Sequence, residues 1–221
     1  MPTKEDLIQV LIKDGYLKSP VIIDAFKAID RKDFLPEELK DQAYVNEALP
    51  IGNGQTISQP LVVAFMLELL NIKPGEKILE VGSGSGWQTA ILSYITEHLP
   101  SVAVVGDETV KSAPIISIER IEELHNMSKK NISKYGFAEK GQVKFVLGDG
   151  SQGYAASAPY DKIIAAASAQ ELPESWVEQL KIGGRIVAPV KESIIVIDKV
   201  AKDKIEKKDY FGYSFVPLVK G

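Results

Sequence analysis

The run Glu80-Val-Gly-Ser-Gly-Ser-Gly86 constrains the fold of this chain more than any other segment. It follows directly on Lys77-Ile-Leu-Glu-Val81, an apolar run that reads as a strand, and it opens a helical pattern from residue 88 to 98. Three glycines at alternate positions can take positive φ and leave the backbone bare, so a ligand can reach main-chain N–H groups beside a helix N-terminus. A strand, a bare turn and a helix in that order form the first half of a βαβ unit, with its ligand at the carboxyl end of the strand. A turn that serves only tight strand–helix packing would use the same glycines without any ligand.

The segments on either side repeat the alternation. Strand-like runs at 115–119, 143–147, 162–166 and 185–190 are separated by helical patterns near 121–135 and 174–180. This predicts an α/β fold built on a doubly wound, mostly parallel, Rossmann-like sheet. Before it, apolar spacing from Thr3 to about Leu39 predicts two short helices, with Thr3 as the first cap and a break at Gly15 and Ser19-Pro20. Residues 44–59 read as a long, weakly charged loop lying against something, and Pro60 starts a helix through Leu70 capped by Ser58 or Gln59. At the end, runs at 193–200 and 212–218 predict an antiparallel hairpin joined by a charged turn over 202–209. Residues 100–114 read as an insertion able to form an extra hairpin. With 221 residues and roughly 100–200 per domain, one domain is expected: N-terminal helices and a substrate-side loop (1–59), a cofactor-binding core (60–190) and the hairpin (191–221).

Composition narrows the chemistry. Basic residues number 26 against 30 acidic, and only three are arginine (Arg31, Arg120, Arg185), which argues against nucleic acid as a partner. There is no cysteine and there are two histidines, too few for a thiolate or imidazole metal site, so a metal-independent, intracellular protein is expected. The N-terminus lacks the pattern of a secretion signal, and the most apolar stretch, 61–70, is far shorter than the ~20 residues of a membrane span. A cytoplasmic location follows as the expectation.

In the glycine loop the third glycine comes one residue sooner than in the dinucleotide fingerprint, and Glu80 precedes the loop. That suits the charged tail of S-adenosylmethionine better than a pyrophosphate, and leaves a nicotinamide oxidoreductase as a distant alternative. Glu119 ends the next strand, 33 residues beyond Gly86, where it could accept from ribose hydroxyls or simply cap the following helix. Asp149, in Leu147-Gly-Asp-Gly150, reaches the same rim and could bind an adenine amino group or only shape a turn.

The segments Ala48-Leu-Pro-Ile-Gly-Asn-Gly-Gln-Thr-Ile-Ser-Gln-Pro60, Ile78-Leu-Glu-Val-Gly-Ser-Gly-Ser-Gly-Trp-Gln-Thr-Ala90, Gly148-Asp-Gly150, Ala158-Pro-Tyr-Asp-Lys-Ile-Ile164, Glu178-Gln-Leu-Lys-Ile-Gly-Gly-Arg185 and Phe215-Val-Pro-Leu218 together resemble the protein-L-isoaspartate O-methyltransferases, within the class I methyltransferases. The resemblance runs from about Arg31 to the C-terminus. It implies methyl transfer from S-adenosylmethionine, leaving S-adenosylhomocysteine, to the carboxylate of L-isoaspartyl residues in damaged peptides and proteins; the ester then collapses to a succinimide and repair begins. An acceptor with pKa ~4 is already ionised at neutral pH and needs no strong base.

By the same resemblance Ser58 is the catalytic contact to the acceptor carboxylate, and it shares the donor site with Thr56 and Ile57. Glu80, Gly82, Ser83, Gly84, Ser85, Gly86, Glu119, Arg120, Asp149 and Gly150 hold the cofactor, while Leu49, Pro50, Ile51, Val216 and Pro217 flank the peptide. Ser58 also reads as a helix cap. Asn46 stands where the family commonly has Asp, Asn53 fills a variable position, and Ala169-Gln170 replaces the usual Ala-Pro. His98 and His125 read as surface residues, Trp87 and Trp176 as packing residues, and the chain as a monomer. The rivals are a methyltransferase of the same fold that makes aspartimide at a normal aspartate in a dedicated protein, and a cofactor-binding module without activity.

Overall fold

The computed structural model describes residues 1–99 and 113–219. The hairpin expected within the insertion falls on residues 100–112 and lies outside them.

Helix α1 (Lys4–Lys13) starts at Thr3, whose side chain accepts from the Asp6 N–H while Asp6 reaches back to the Thr3 N–H, a capping box. Helix α2 (Pro20–Ala28) has Pro20 in its first turn. Two 3₁₀ turns (Arg31–Phe34, Glu37–Gln42) lead into a two-stranded hairpin, β1 (Leu49–Gly52) and β2 (Gln55–Ile57). The loop expected over 44–59 is thus partly a ribbon. Its turn is Asn53-Gly54, both at positive φ (52° and 68°), as a primed two-residue hairpin turn requires.

Helix α3 (Pro60–Leu70) then leads to β3 (Ile78–Val81), α4 (Trp87–His98), β4 (Ile115–Glu119), α5 (Glu122–Ser133), β5 (Val143–Leu147), β6 (Tyr160–Ala165), α6 (Glu174–Gln179), β7 (Leu180–Val190), β8 (Ser193–Ala201) and β9 (Lys204–Phe211). The sheet order is β5-β4-β3-β6-β7-β8-β9, parallel from β5 through β7 and antiparallel beyond. The doubly wound, mostly parallel sheet is as the alternation predicted. Strand order reverses beside β3, which pairs with β4 on one side and β6 on the other, so a crevice opens at their carboxyl ends.

Strand β3 is buried on both faces, which is why its sequence is nearly continuous apolar rather than alternating. One face, with Ile78, joins the core built by α1 to α5; the other, with Leu79 and Val81, joins a core closed by Tyr160 and Trp176.

Three expectations need correction. The C-terminal hairpin is β8–β9, and the charged run expected as a turn is itself strand β9; the turn is only Lys202-Asp203. Charges are compatible with an edge strand whose outer rim faces water, and they protect it from unwanted pairing. Gly212, at φ 94°, ends that strand, so 212–218 is not a strand. Helix α3 is not capped by Ser58: Gln59 occupies the cap position without a side-chain bond, and Asn46 Oδ1 accepts from the Leu61 N–H at 3.0 Å instead. His125 is buried, 8% exposed, edge-on to Phe145; burial lowers its pKa. His98 is exposed and stacked on Tyr94 as a helix-surface residue. Trp87 and Trp176 are both buried, the latter donating to the Gly150 carbonyl at 2.9 Å.

Candidate active site

All three loop glycines have positive φ: Gly82 at 88°, Gly84 at 53° and Gly86 at 95°. Gly86 also meets a packing demand, since a Cβ there would lie 3.1 Å from Ser128 Cα of α5. The loop is tied down at Gly82 N–H, which donates to Ile118 O at 2.8 Å, and at Gly84 N–H, which donates to Glu119 Oε2 at 3.0 Å. Glu119 Oε1 accepts from the Arg120 and Ile121 N–H groups, so this carboxylate does organise the following turn as well as facing the crevice.

Two connected chambers occupy the crevice. The outer one, of about 620 Å³, is walled by Gln55 and Thr56 from the hairpin, Gly82 and Gly84, Glu119 with Arg120, Gly150, Ala166 with Ala167, and residues 216–219. The inner one, of about 310 Å³, is walled by Thr56, Ile57 and Ser58, residues 82–85, Trp87 and Gln88. Thr56, Gly82, Gly84 and Ala166 belong to both. Residue 150 must be glycine at this floor: a Cβ would fall 2.5 Å from Val81 Cγ1 and 3.1 Å from Ile118 Cγ2. The C-terminal segment crosses the outer mouth as a strap, Ser168 N–H donating to Val216 O and Leu218 N–H to Ser168 O, both at 2.8 Å.

The chambers therefore bring together Thr56, Ile57, Ser58, Gly82, Ser83, Gly84, Ser85, Glu119, Arg120, Gly150, Val216 and Pro217. Other expected residues stand back from them. Glu80 is fully buried under the loop, accepting from Thr89 Oγ1, Ser117 Oγ and Gln88 Nε2, and desolvation pushes its pKa up to about 7 against those bonds. It supports the loop rather than lining either chamber. Asp149 accepts from the Ser151 N–H and hydroxyl, shaping the turn that presents Gly150. Leu49 and Ile51 are buried in the core, with only Pro50 of that trio exposed, because β1 alternates inward and outward. A Cβ on Gly84 would lie 3.5 Å from Ile51 Cδ1, so Ile51 backs the loop from below.

Residue reasoning missed Arg31. Its guanidinium donates to the carbonyls of Ala43 (2.9 Å), Val45 (3.2 Å), Glu47 (2.8 Å) and Ser58 (3.0 Å), so the segment carrying Ser58 is folded around it. A signal was present: where lysine is the usual cation, each of only three arginines marks a place that can need a fork of donors. Arg185 shows the same logic, bidentate to Asp198 at 2.7 and 2.8 Å.

The site fits S-adenosylmethionine on its own geometry. Bare loop backbone, a carboxylate at the end of the second core strand and a floor open only at glycine suit a nucleoside with a charged tail. Ser85 Oγ and Trp87 Nε1 are buried in the inner walls without hydrogen-bond partners among the described residues, as expected where a polar group is to bind.

Comparison with known proteins agrees with this geometry. Residues 2–221 match the family model of protein-L-isoaspartate (D-aspartate) O-methyltransferase. A protein-L-isoaspartate O-methyltransferase of Methanopyrus kandleri is 40% identical over 220 residues, covering 98% of this chain and 91% of the relative. Protein-L-isoaspartate O-methyltransferase 1 of Archaeoglobus fulgidus is 39% identical over 216 residues, covering 97% and 93%. A Plasmodium falciparum chain named for the same activity, crystallised with S-adenosyl-L-homocysteine, superposes with a TM-score of 0.85 at 27% identity over the full length of both chains. With a family model spanning it almost end to end and relatives near 40% identity, this chain belongs to the protein-L-isoaspartate O-methyltransferase family.

Proposed function

We propose that this chain transfers the methyl group of S-adenosylmethionine to the free α-carboxylate of L-isoaspartyl residues in peptides and damaged proteins, with Ser58 as the contact to that carboxylate. The observation that carries the reading is the pair of chambers sharing Thr56 and Gly84, with the Ser58 residue on the inner one. Bound in the outer chamber, S-adenosylmethionine supplies an electrophilic methyl group.

The chain's own residues supply position. Glu119 has about four acceptor sites, three of which are taken by backbone N–H groups, leaving one for a ribose hydroxyl. Within the loop the Gly82 and Gly84 N–H groups are spent on Ile118 O and Glu119, so the Ser83 and Ser85 N–H groups receive the carboxylate of the amino-acid tail, and Gly150 gives the adenine a flat floor. The Ser58 hydroxyl donates to one carboxylate oxygen of the acceptor and leaves the other in line with the methyl group; no base is needed, since the acceptor is ionised at neutral pH. Once methylated, the ester carbonyl is attacked by the backbone nitrogen of the next residue, methanol leaves, and a succinimide forms. Val216 and Pro217 border the entry, where an extended peptide can make main-chain contacts. We read the chain as a single, monomeric, cytoplasmic domain; among the described residues no helix is long and apolar enough to cross a membrane.

The test is transfer of labelled methyl groups to paired peptides carrying isoaspartate or aspartate at one position. Transfer to isoaspartate alone is expected. Transfer to one dedicated aspartyl protein instead would favour the aspartimide-forming rival, and binding of S-adenosylhomocysteine without any transfer would favour a non-catalytic module.

A further inference from the structure

Arg31 is 2% exposed, and all four of its side-chain hydrogen bonds end on carbonyl oxygens. Among the described residues it forms no ion pair. Carbonyl dipoles satisfy N–H groups without cancelling the charge, and a buried charge without an opposite one is costly. Arg185 shows the contrast: its bonds to Asp198 raise its pKa, whereas desolvation pushes that of Arg31 down to about 9. Its Nε also lacks a partner. The charge adjoins the inner chamber through two of its wall residues, without lining it itself. The guanidinium lies over the Trp87 ring, 5.2 Å from its centroid, and Trp87 and Ser58 both wall the inner chamber.

We propose that Arg31 is a positioning residue for the acceptor: it holds Ser58 in place through the Ser58 carbonyl and supplies the positive potential that selects an ionised carboxylate in the inner chamber. The inference rests on the reading that the acceptor binds beside Ser58. Because Arg31 Nη2 bonds the Ser58 carbonyl at 3.0 Å, an anion hydrogen-bonded to the hydroxyl of the same residue would lie at a separation on the order of a Debye length, about 8 Å. Aspartyl and isoaspartyl groups would be drawn alike, so Arg31 selects charge and the shape of the chamber selects the isomer.

The experiment measures binding of two peptides to protein saturated with S-adenosylhomocysteine, one carrying isoaspartate and the other the same β-linked residue with its free α-carboxylate converted to the neutral amide. Wild type should prefer the anion. Arg31→Met and Arg31→Gln should lose that preference by about tenfold or more, with unchanged affinity for S-adenosylhomocysteine, while Arg31→Lys should keep it. A role confined to tying the Ser58 segment would be lost in Arg31→Lys as well, because an ammonium cannot span the four carbonyls that the guanidinium fork reaches. A folded Arg31→Met protein with the wild-type preference overturns the proposal, as does loss of the preference in the lysine variant, or failure of both neutral variants to bind S-adenosylhomocysteine. A wild-type chain that prefers the anion but transfers no methyl group overturns the functional reading; one that transfers while the Arg31 variants keep their preference overturns only the role of Arg31.

Discussion

Two side chains illustrate how the site divides labour between fold and chemistry. Because Asn46 rather than Ser58 caps α3, and the bond from Arg31 goes to the Ser58 carbonyl that alanine keeps, Ser58→Ala should change stability by no more than about 0.5 kcal/mol. Transfer to isoaspartyl peptide should nonetheless fall sharply; a variant of unchanged activity would remove Ser58 from the reaction. Glu119→Ala takes away a charge-assisted contact worth about 1.5–3 kcal/mol, so S-adenosylhomocysteine should bind roughly tenfold more weakly or worse in a calorimetric titration. Glu80 makes a different prediction. Burial raises its pKa from 4.5 to about 7, so the folded state holds the proton more tightly than the unfolded chain. The stability this contributes is complete below about pH 4.5 and is lost as pH rises through about 7. Glu80→Gln, which cannot ionise, should therefore gain on wild type in melting temperature between pH 4.5 and pH 8; a difference that does not vary with pH would refute the assignment.

At the level of elements, α3 is held at its start by a residue from a different segment, 15 positions upstream. Asn46→Ala should cost about 1 kcal/mol, as loss of a capping side chain does, and Asn46→Asp should keep most of it, which chemical denaturation can measure. No local pattern announces such a cap, and this explains why Ser58 and Gln59 looked like the cap from sequence. The parallel core was legible because each of its strands is an apolar run between helical periods, and the glycine loop because three positive-φ positions leave a compositional trace. The β1–β2 ribbon was legible in principle, since Asn53-Gly54 is a strong hairpin signal, but strands of four and three residues flanked by glycine and proline read as loop. Strand β9 was hidden for a different reason: with one rim in water it needs few apolar residues, and its lysines and acids look like a turn. Tyr210 alone betrays the inward face, edge-on to Phe65 at 5.1 Å.

For the molecule as a whole, one wall of the site comes from residues 216–219, beyond the last strand. The chain leaves the sheet at Gly212, lays Tyr213 parallel to Phe65 at 5.7 Å, and brings residues 216–219 across the outer chamber. Its hold there is slight. Two backbone hydrogen bonds to Ser168 fasten it, and its side chains are exposed or half-buried, so it adds wall to the cleft while contributing little to the core. A chain ending at Phe215 should accordingly keep its sheet and lose only the worth of those bonds, lowering Tm by about 2–12 °C. Function should suffer far more, because the strap supplies one side of the outer chamber and borders the entry for peptide. S-adenosylhomocysteine should bind at least roughly tenfold more weakly, since about 1.4 kcal/mol of lost contact is enough for that factor, and the KM for isoaspartyl peptide should rise as well. The two measurements separate the alternatives. Unchanged affinity in the shortened chain would mean that the strap only borders the cleft without contributing to it, and a collapse of Tm beyond that window would mean that it belongs to the core.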